Sequence, residues 1–155
     1  MLFSGLLIIE PDSSKQEKIR SPMTIPKTIL CVDDNKDTCD LLKFLFEKDG
    51  FEVKTSDSPE EAVRYARNNH FAAVVVDFHL FEMDGVDLCR IIQSFDSNTP
   101  IVFFSAEVRE IKKQEAFEAG AKAYLTKPND FEKLVPTVNQ LINESAKSDK
   151  ELKAL

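Results

Sequence analysis

Phe71-Ala72-Ala73-Val74-Val75-Val76-Asp77 is an unbroken apolar run closed by a carboxylate. A stretch this short and valine-rich has the pattern of a strand buried on both faces, as in a parallel sheet covered by helices. Asp77 then stands where the strand emerges. In open α/β sheets ligands bind in the crevice beyond the carboxyl ends of the strands, so an acid there either caps a turn or faces a binding site.

Outward from this run the chain alternates. Lys27 to Val32 reads as a first strand ending in Asp33-Asp34-Asn35, and from Lys36 a helical pattern places Cys39, Leu42, Leu45 and Phe46 on one face, stopped by Gly50. Phe51 to Thr55 alternates as a second strand. Ser58-Pro59-Glu60-Glu61 carries the signature of a capping box with proline at the first helical position, opening a helix to about Asn68. Beyond Asp77, a loop from Phe78 to Asp84 leads to Gly85 and a helix with Val86, Leu88, Cys89, Ile91 and Ile92 as its apolar positions. Ile101 to Phe104 is a further buried run that ends in Ser105 and Ala106. Val108, Ile111 and Phe117 predict a weaker amphipathic helix closed by Gly120, and Ala123 to Thr126 a fifth strand followed by Lys127-Pro128. Asn129 or Asp130 is placed to cap a last helix over Phe131 to Ile142, which Pro136 should kink. From Asn143 the chain turns polar and is expected to fray towards Leu155. Five strands alternating with five helices imply a doubly wound parallel α/β sheet with right-handed crossovers.

Composition narrows the function. A chain of 155 residues holds one ordinary domain, and 27 acidic against 20 basic residues give a formal net charge of -7, which argues against a direct nucleic-acid partner. Three cysteines, with no CxxC, suit a reducing cytoplasm, and His70 and His79 lack zinc-ligand spacing. Neither a Walker loop nor GxGxxG is present. Residues 1–26 read as an N-terminal extension, disordered or loosely docked, with Met23 as an alternative natural start. Its apolar run Met1 to Ile9 is too short to span a bilayer and lacks the flanks of a signal peptide, so no membrane partner is expected.

The strand ends carry the chemistry. Asp33, Asp34, Asp77, Ser105 and Lys127 are all expected on one rim. Three converging carboxylates repel one another unless a cation sits among them, and an all-oxygen site suits Mg2+, which also holds phosphate oxygens. With a lysine and a hydroxyl added, the set has the parts that phosphoryl transfer to a carboxylate needs. Singly, each residue has a plainer role: the acids favour the following helix N-terminus, Ser105 caps, and Lys127 is a solvated loop lysine.

Val32-Asp33-Asp34-Asn35, Val76-Asp77 with Met83-Asp84-Gly85, Phe104-Ser105-Ala106 and Tyr124-Leu125-Thr126-Lys127-Pro128 together resemble the receiver domain of two-component response regulators. The resemblance covers residues 27–144 and leaves residues 145–155 as a tail. It implies a flavodoxin-like (βα)5 sheet of order 2-1-3-4-5. It also implies a phosphoprotein of phosphorelay signal transduction, with Asp77 taking a phosphoryl group from the phosphohistidine of a sensor histidine kinase or histidine phosphotransfer protein. Asp34, Asp77 and the backbone carbonyl of His79 would ligate Mg2+, with Asp33 acting largely through water. Lys127 would pair with the phosphoryl oxygens, and its peptide bond to Pro128 would be cis. Ser105 and Tyr124 would form the switch that changes binding to a downstream protein target. The resulting expectation is a stand-alone cytoplasmic receiver, a signalling phosphoacceptor rather than an enzyme, monomeric or weakly dimeric. The alternatives are a haloacid dehalogenase-type aspartyl-phosphate hydrolase, which wants Asp-x-Asp at the first strand, and a phosphorylation-independent binding platform. Phe81 stands where the family usually has proline, Ser105 where it more often has threonine, and the His79 side chain lies on either an exposed loop or the phosphoryl entry path.

Overall fold

Alternation of side chains along the strands splits the interior into two cores, one on each face of the sheet. The computed structural model describes residues 27–155, so the expectations for residues 1–26 lie outside the described residues. The elements are β1 (Thr28–Val32), α1 (Lys36–Lys48), β2 (Glu52–Ser56), α2 (Pro59–Asn68), β3 (Ala73–Val76), α3 (Gly85–Phe95), β4 (Ile101–Ser105), α4 (Glu110–Glu118), β5 (Ala123–Thr126), a 3-10 turn (Phe131–Lys133) and α5 (Leu134–Lys153). All strand pairs are parallel, in the order β2-β1-β3-β4-β5. This is the flavodoxin-like arrangement expected from the sequence.

On one face Leu30, Val32, Val74, Val76, Ile101 and Phe103 pack beneath α2, α3 and α4 through Ala62, Leu88, Ile92 and Ala116. On the other, Ile29, Cys31, Val75, Val102 and Phe104 meet Leu42 and Phe46 of α1 and Leu134, Val138 and Ile142 of α5. Phe103 is wholly buried; truncating a core phenylalanine to alanine costs about 3–5 kcal/mol. Every described cysteine is free and buried.

The helix ends follow local chemistry. Asn35 caps α1 by accepting the Thr38 N–H at 3.0 Å, and Gly50 takes a φ of 91° after its last turn. Ser58 caps α2 through Glu61 N at 3.4 Å, while the Glu61 carboxylate lies 3.6 Å from Arg64.

Four expectations need correction. Val108, Ile111 and Phe117 do not turn inward: α4 is short and buries only Ala116, leaving all three exposed. The last helix is capped by neither Asn129 nor Asp130; the Asp130 carboxylate instead accepts the Thr126 N–H, and a 3-10 turn precedes α5. Pro136 is therefore the third residue of α5, in the first turn, where the missing N–H has no intrahelical partner to lose and a kink is not required. Nor does the helix end near Asn143, since α5 continues to Lys153. Among the described residues, no helix is long and apolar enough to cross a membrane.

Candidate functional site

The parallel ladder carries the polar residues to a common rim. Asp33 N donates to Ser56 O at 3.1 Å, Asp77 N to Val32 O at 3.0 Å and Lys127 N to Ser105 O at 2.9 Å, so each residue leaves its strand with its backbone still paired. The Lys127–Pro128 peptide is cis. Behind β3, Gly85 begins α3 directly beneath the rim: its N–H donates to Phe78 O at 2.6 Å, and a Cβ there would run into the Asp77 carbonyl oxygen. This glycine is required by close approach.

The carboxylates differ in environment. Asp33 is buried, Asp77 half-buried and Asp34 exposed. Lys127 Nζ lies 2.6 Å from Asp33 Oδ2 and 3.2 Å from Asp77 Oδ2, bridging the two acids. Burial pushes the Asp33 carboxyl up, against the opposing pull of Lys127 and of the Asn35 N–H at 2.9 Å. Burial likewise works against the Lys127 cation, yet the bond to Asp33 and the charges of both acids outweigh it and hold the ammonium above its usual range.

One carboxylate oxygen from each of Asp33, Asp34 and Asp77 lies within 4.8 Å of the others. An all-oxygen set open to solvent on the Asp34 side suits a hard, partly hydrated cation such as Mg2+, and a single lysine offsets only part of three negative charges. The donor set therefore fits the metal on its chemistry.

On the β4 side, Ser105 is buried and its hydroxyl accepts the Glu107 N–H at 3.2 Å. Tyr124 points inward: its ring stacks on Phe103 with centroids 5.7 Å apart, and its hydroxyl donates to the Glu107 carbonyl at 2.7 Å. Burial pushes the Tyr124 phenol up to about 12, so it remains a donor at neutral pH.

Sequence reasoning missed Glu107. Its carboxylate accepts two bonds from the Arg109 guanidinium, at 2.8 and 2.7 Å, and lies 2.9 Å from His79 Nε2. Arg109, then His79, hold it well below the usual carboxylate range. Since an ionised carboxylate only accepts, His79 Nε2 is the donor. The His79 side chain thus ties the β3–α3 loop to the β4–α4 loop, and Phe81 beside it is exposed. No local pattern announces this contact, because its partners lie 28 positions apart.

Comparison with known proteins agrees with this architecture. The response regulator receiver domain family matches residues 29–139. Among curated relatives, the transcriptional regulatory protein SrrA of Staphylococcus aureus is 32% identical over 117 residues, which is 76% of this chain and 48% of SrrA. The chain thus spans about half the length of that relative. A CheY-like receiver domain protein from Methanospirillum hungatei shares the fold with a TM-score of 0.77 at 24% identity, covering 80% of this chain and 99% of that one. The BeF3-activated DrrB receiver domain aligns with a TM-score of 0.71 at 26% identity, over 77% and 99% of the two chains. With strand order, rim residues and sequence similarity in agreement, this chain belongs to the response regulator receiver domain family of two-component systems.

Proposed function

We propose that Asp77 is the phosphoacceptor of a Mg2+-dependent reaction with a phosphohistidine on a sensor histidine kinase or a histidine phosphotransfer protein. The supporting observation is the Lys127 bridge, which sets one cation against both Asp33 and Asp77 while a carboxylate triad stands on the same rim. An Asp77 carboxylate oxygen attacks the phosphorus, the phosphorus–nitrogen bond of the donor breaks, and the imidazole leaves with the electron pair and takes a proton from water. Asp33, Asp34, Asp77 and the His79 carbonyl would hold Mg2+, which neutralises charge on the incoming phosphoryl oxygens. Lys127 can leave Asp77 for a phosphoryl oxygen without losing Asp33, so its ammonium remains paired throughout.

Ser105 supplies the switch. Its hydroxyl, bonded to the Glu107 N–H, turns towards the new phosphoryl oxygens and draws the β4–α4 loop with it. Tyr124 is bonded to the same Glu107 and follows, altering the face formed by α4, β5 and α5 that a downstream protein target would read. The DrrB receiver, described as BeF3-activated, supports this reading by likeness. A cytoplasmic setting follows from the need to meet such a kinase.

Incubation with a small acyl-phosphate donor and Mg2+ tests the proposal. The expected result is one hydroxylamine-sensitive adduct per chain, lost in Asp77→Asn. Repeated turnover of a phosphate ester would instead favour a dehalogenase-type hydrolase, and no adduct would favour a binding platform.

A further inference from the structure

The Asp77 side chain is only 13% exposed, and reacting atoms have to meet at about 3–3.5 Å. A small donor can enter the rim to reach it. A phosphohistidine on a protein reaches it only when the surface around that histidine rests on the loops beside Asp77, which include residues 78–84 and 106–109. Those two loops carry exposed apolar groups. Of the large apolar side chains exposed among the described residues, only Phe81 (73%) and Val108 (57%) stand on rim loops; the rest lie on helices or at the chain end.

Both are held in place. His79 and Asp84 pair as an antiparallel bridge, Leu80 is buried and Met83 packs on the core, which leaves Phe81 and Glu82 at the tip of a closed turn. Glu82 has a φ of 75°, a left-handed conformation that disfavours a residue with a side chain and persists where the surroundings impose it. Glu107, next to Val108, is bonded to His79 at 2.9 Å, so the loops are fastened together two residues from Phe81 and one from Val108. Side chains presented on fixed loops lose little freedom on docking.

We propose that Phe81 and Val108 are specificity-determining residues that anchor the protein donor: an apolar depression beside its phosphohistidine covers the pair, and the pair selects protein donors over small ones. This rests on Asp77 as the phosphoacceptor and leaves the transfer step unchanged. Continuity with the reacting centre favours this occupant, because the surface that delivers phosphorus to Asp77 lies over these loops, whereas a target bound to α4, β5 and α5 need not.

Phosphotransfer kinetics test the pair in the full chain. Purified sensor kinases and histidine phosphotransfer proteins of the source cell are labelled on histidine, and the fastest donor to the parent chain is compared with an acyl phosphate. Phe81→Ser and Val108→Ser should each lower kcat/KM for the protein donor about tenfold or more, through KM, and change the acyl-phosphate rate by less than about twofold. Phe81→Leu should keep most of the transfer, and Leu152→Ala, exposed on α5, all of it. Undiminished protein transfer in both serine variants overturns the proposal while an unaltered acyl-phosphate adduct leaves Asp77 standing. Equal losses with both donors overturn it as well, since the pair is then structural, and so does failure of every protein donor to label the parent. Loss in Phe44→Ser but not in Phe81→Ser would seat the donor along α1 instead. Absence of the acyl-phosphate adduct from the parent would remove the phosphoacceptor reading itself.

Discussion

Lys127 Nζ lies 2.6 Å from Asp33 Oδ2, joining the loop after β5 to the end of β1 across 94 positions of sequence. Asp33 is buried, so its charge depends on this partner and on the Asn35 N–H. Removing one member of a buried pair strands the other, at a cost of about 3–5 kcal/mol. Lys127→Ala should fall at the low end of that range, because the lysine side chain is a fifth exposed (21%). Urea unfolding measures the loss, and added Mg2+ should recover more stability in the variant than in the parent.

Gly85→Ala should damage the site without touching any charged group. The new Cβ meets the Asp77 carbonyl oxygen, a backbone atom that cannot move unless the rim moves with it. Overpacking of this kind costs about 1–3 kcal/mol. Thermal unfolding should show the loss, and the rate of adduct formation should drop although all the acids and Lys127 remain.

The His79–Glu107 bond ties together the two loops that flank Asp77. His79→Ala frees both loops and opens the rim to water. The phosphoryl group should then be lost several-fold faster, measured as decay of the adduct after the donor is removed. Stability should change by no more than about 1 kcal/mol, as expected for an exposed pair.

Asp96 gives a stability test remote from the rim. Partial burial opposes its charge, but bonds from the Thr99 hydroxyl at 2.6 Å and from the Thr99 and Asn98 N–H groups at 3.1 Å prevail, and its carboxyl is held below the usual value of 3.8. A carboxyl lowered on folding stabilises the native state above its unfolded value, and that contribution disappears as pH falls through the folded value. Asp96→Ala should therefore cost about 0.5–1.5 kcal/mol at neutral pH. The difference between variant and parent should shrink in acid, which denaturant melts at a series of pH values below 5 will show.

The sheet was legible because its signals are local. Val74-Val75-Val76 can be read as doubly buried from seven residues, and a parallel βαβ order then brings Asp33, Asp34, Asp77, Ser105 and Lys127 to one end. What could not be read depends on contacts distant in sequence or on partners of unusual size. Ile111 and Phe117 follow a helical pattern, yet α4 meets the core through a small residue, Ala116, with Ala119 buried just after its end, and the large ones are left outside. Pro136 looked like a kink because the preceding 3-10 turn, which moves the start of α5 to Leu134, has no clear sequence signature. Glu107 went unnoticed because an acid after a strand is ordinary until His79, Arg109 and Tyr124 are seen around it.

Mapping the covalent bond tests the central claim most directly. The chain is incubated with an acyl-phosphate donor and Mg2+, reduced with borohydride, which converts an aspartyl phosphate to homoserine, and sequenced by mass spectrometry. Homoserine should be found at position 77 alone, and should disappear when Mg2+ is chelated. Homoserine at Asp33 or Asp34, or a phosphoryl adduct retained undiminished in Asp77→Asn, would contradict the account.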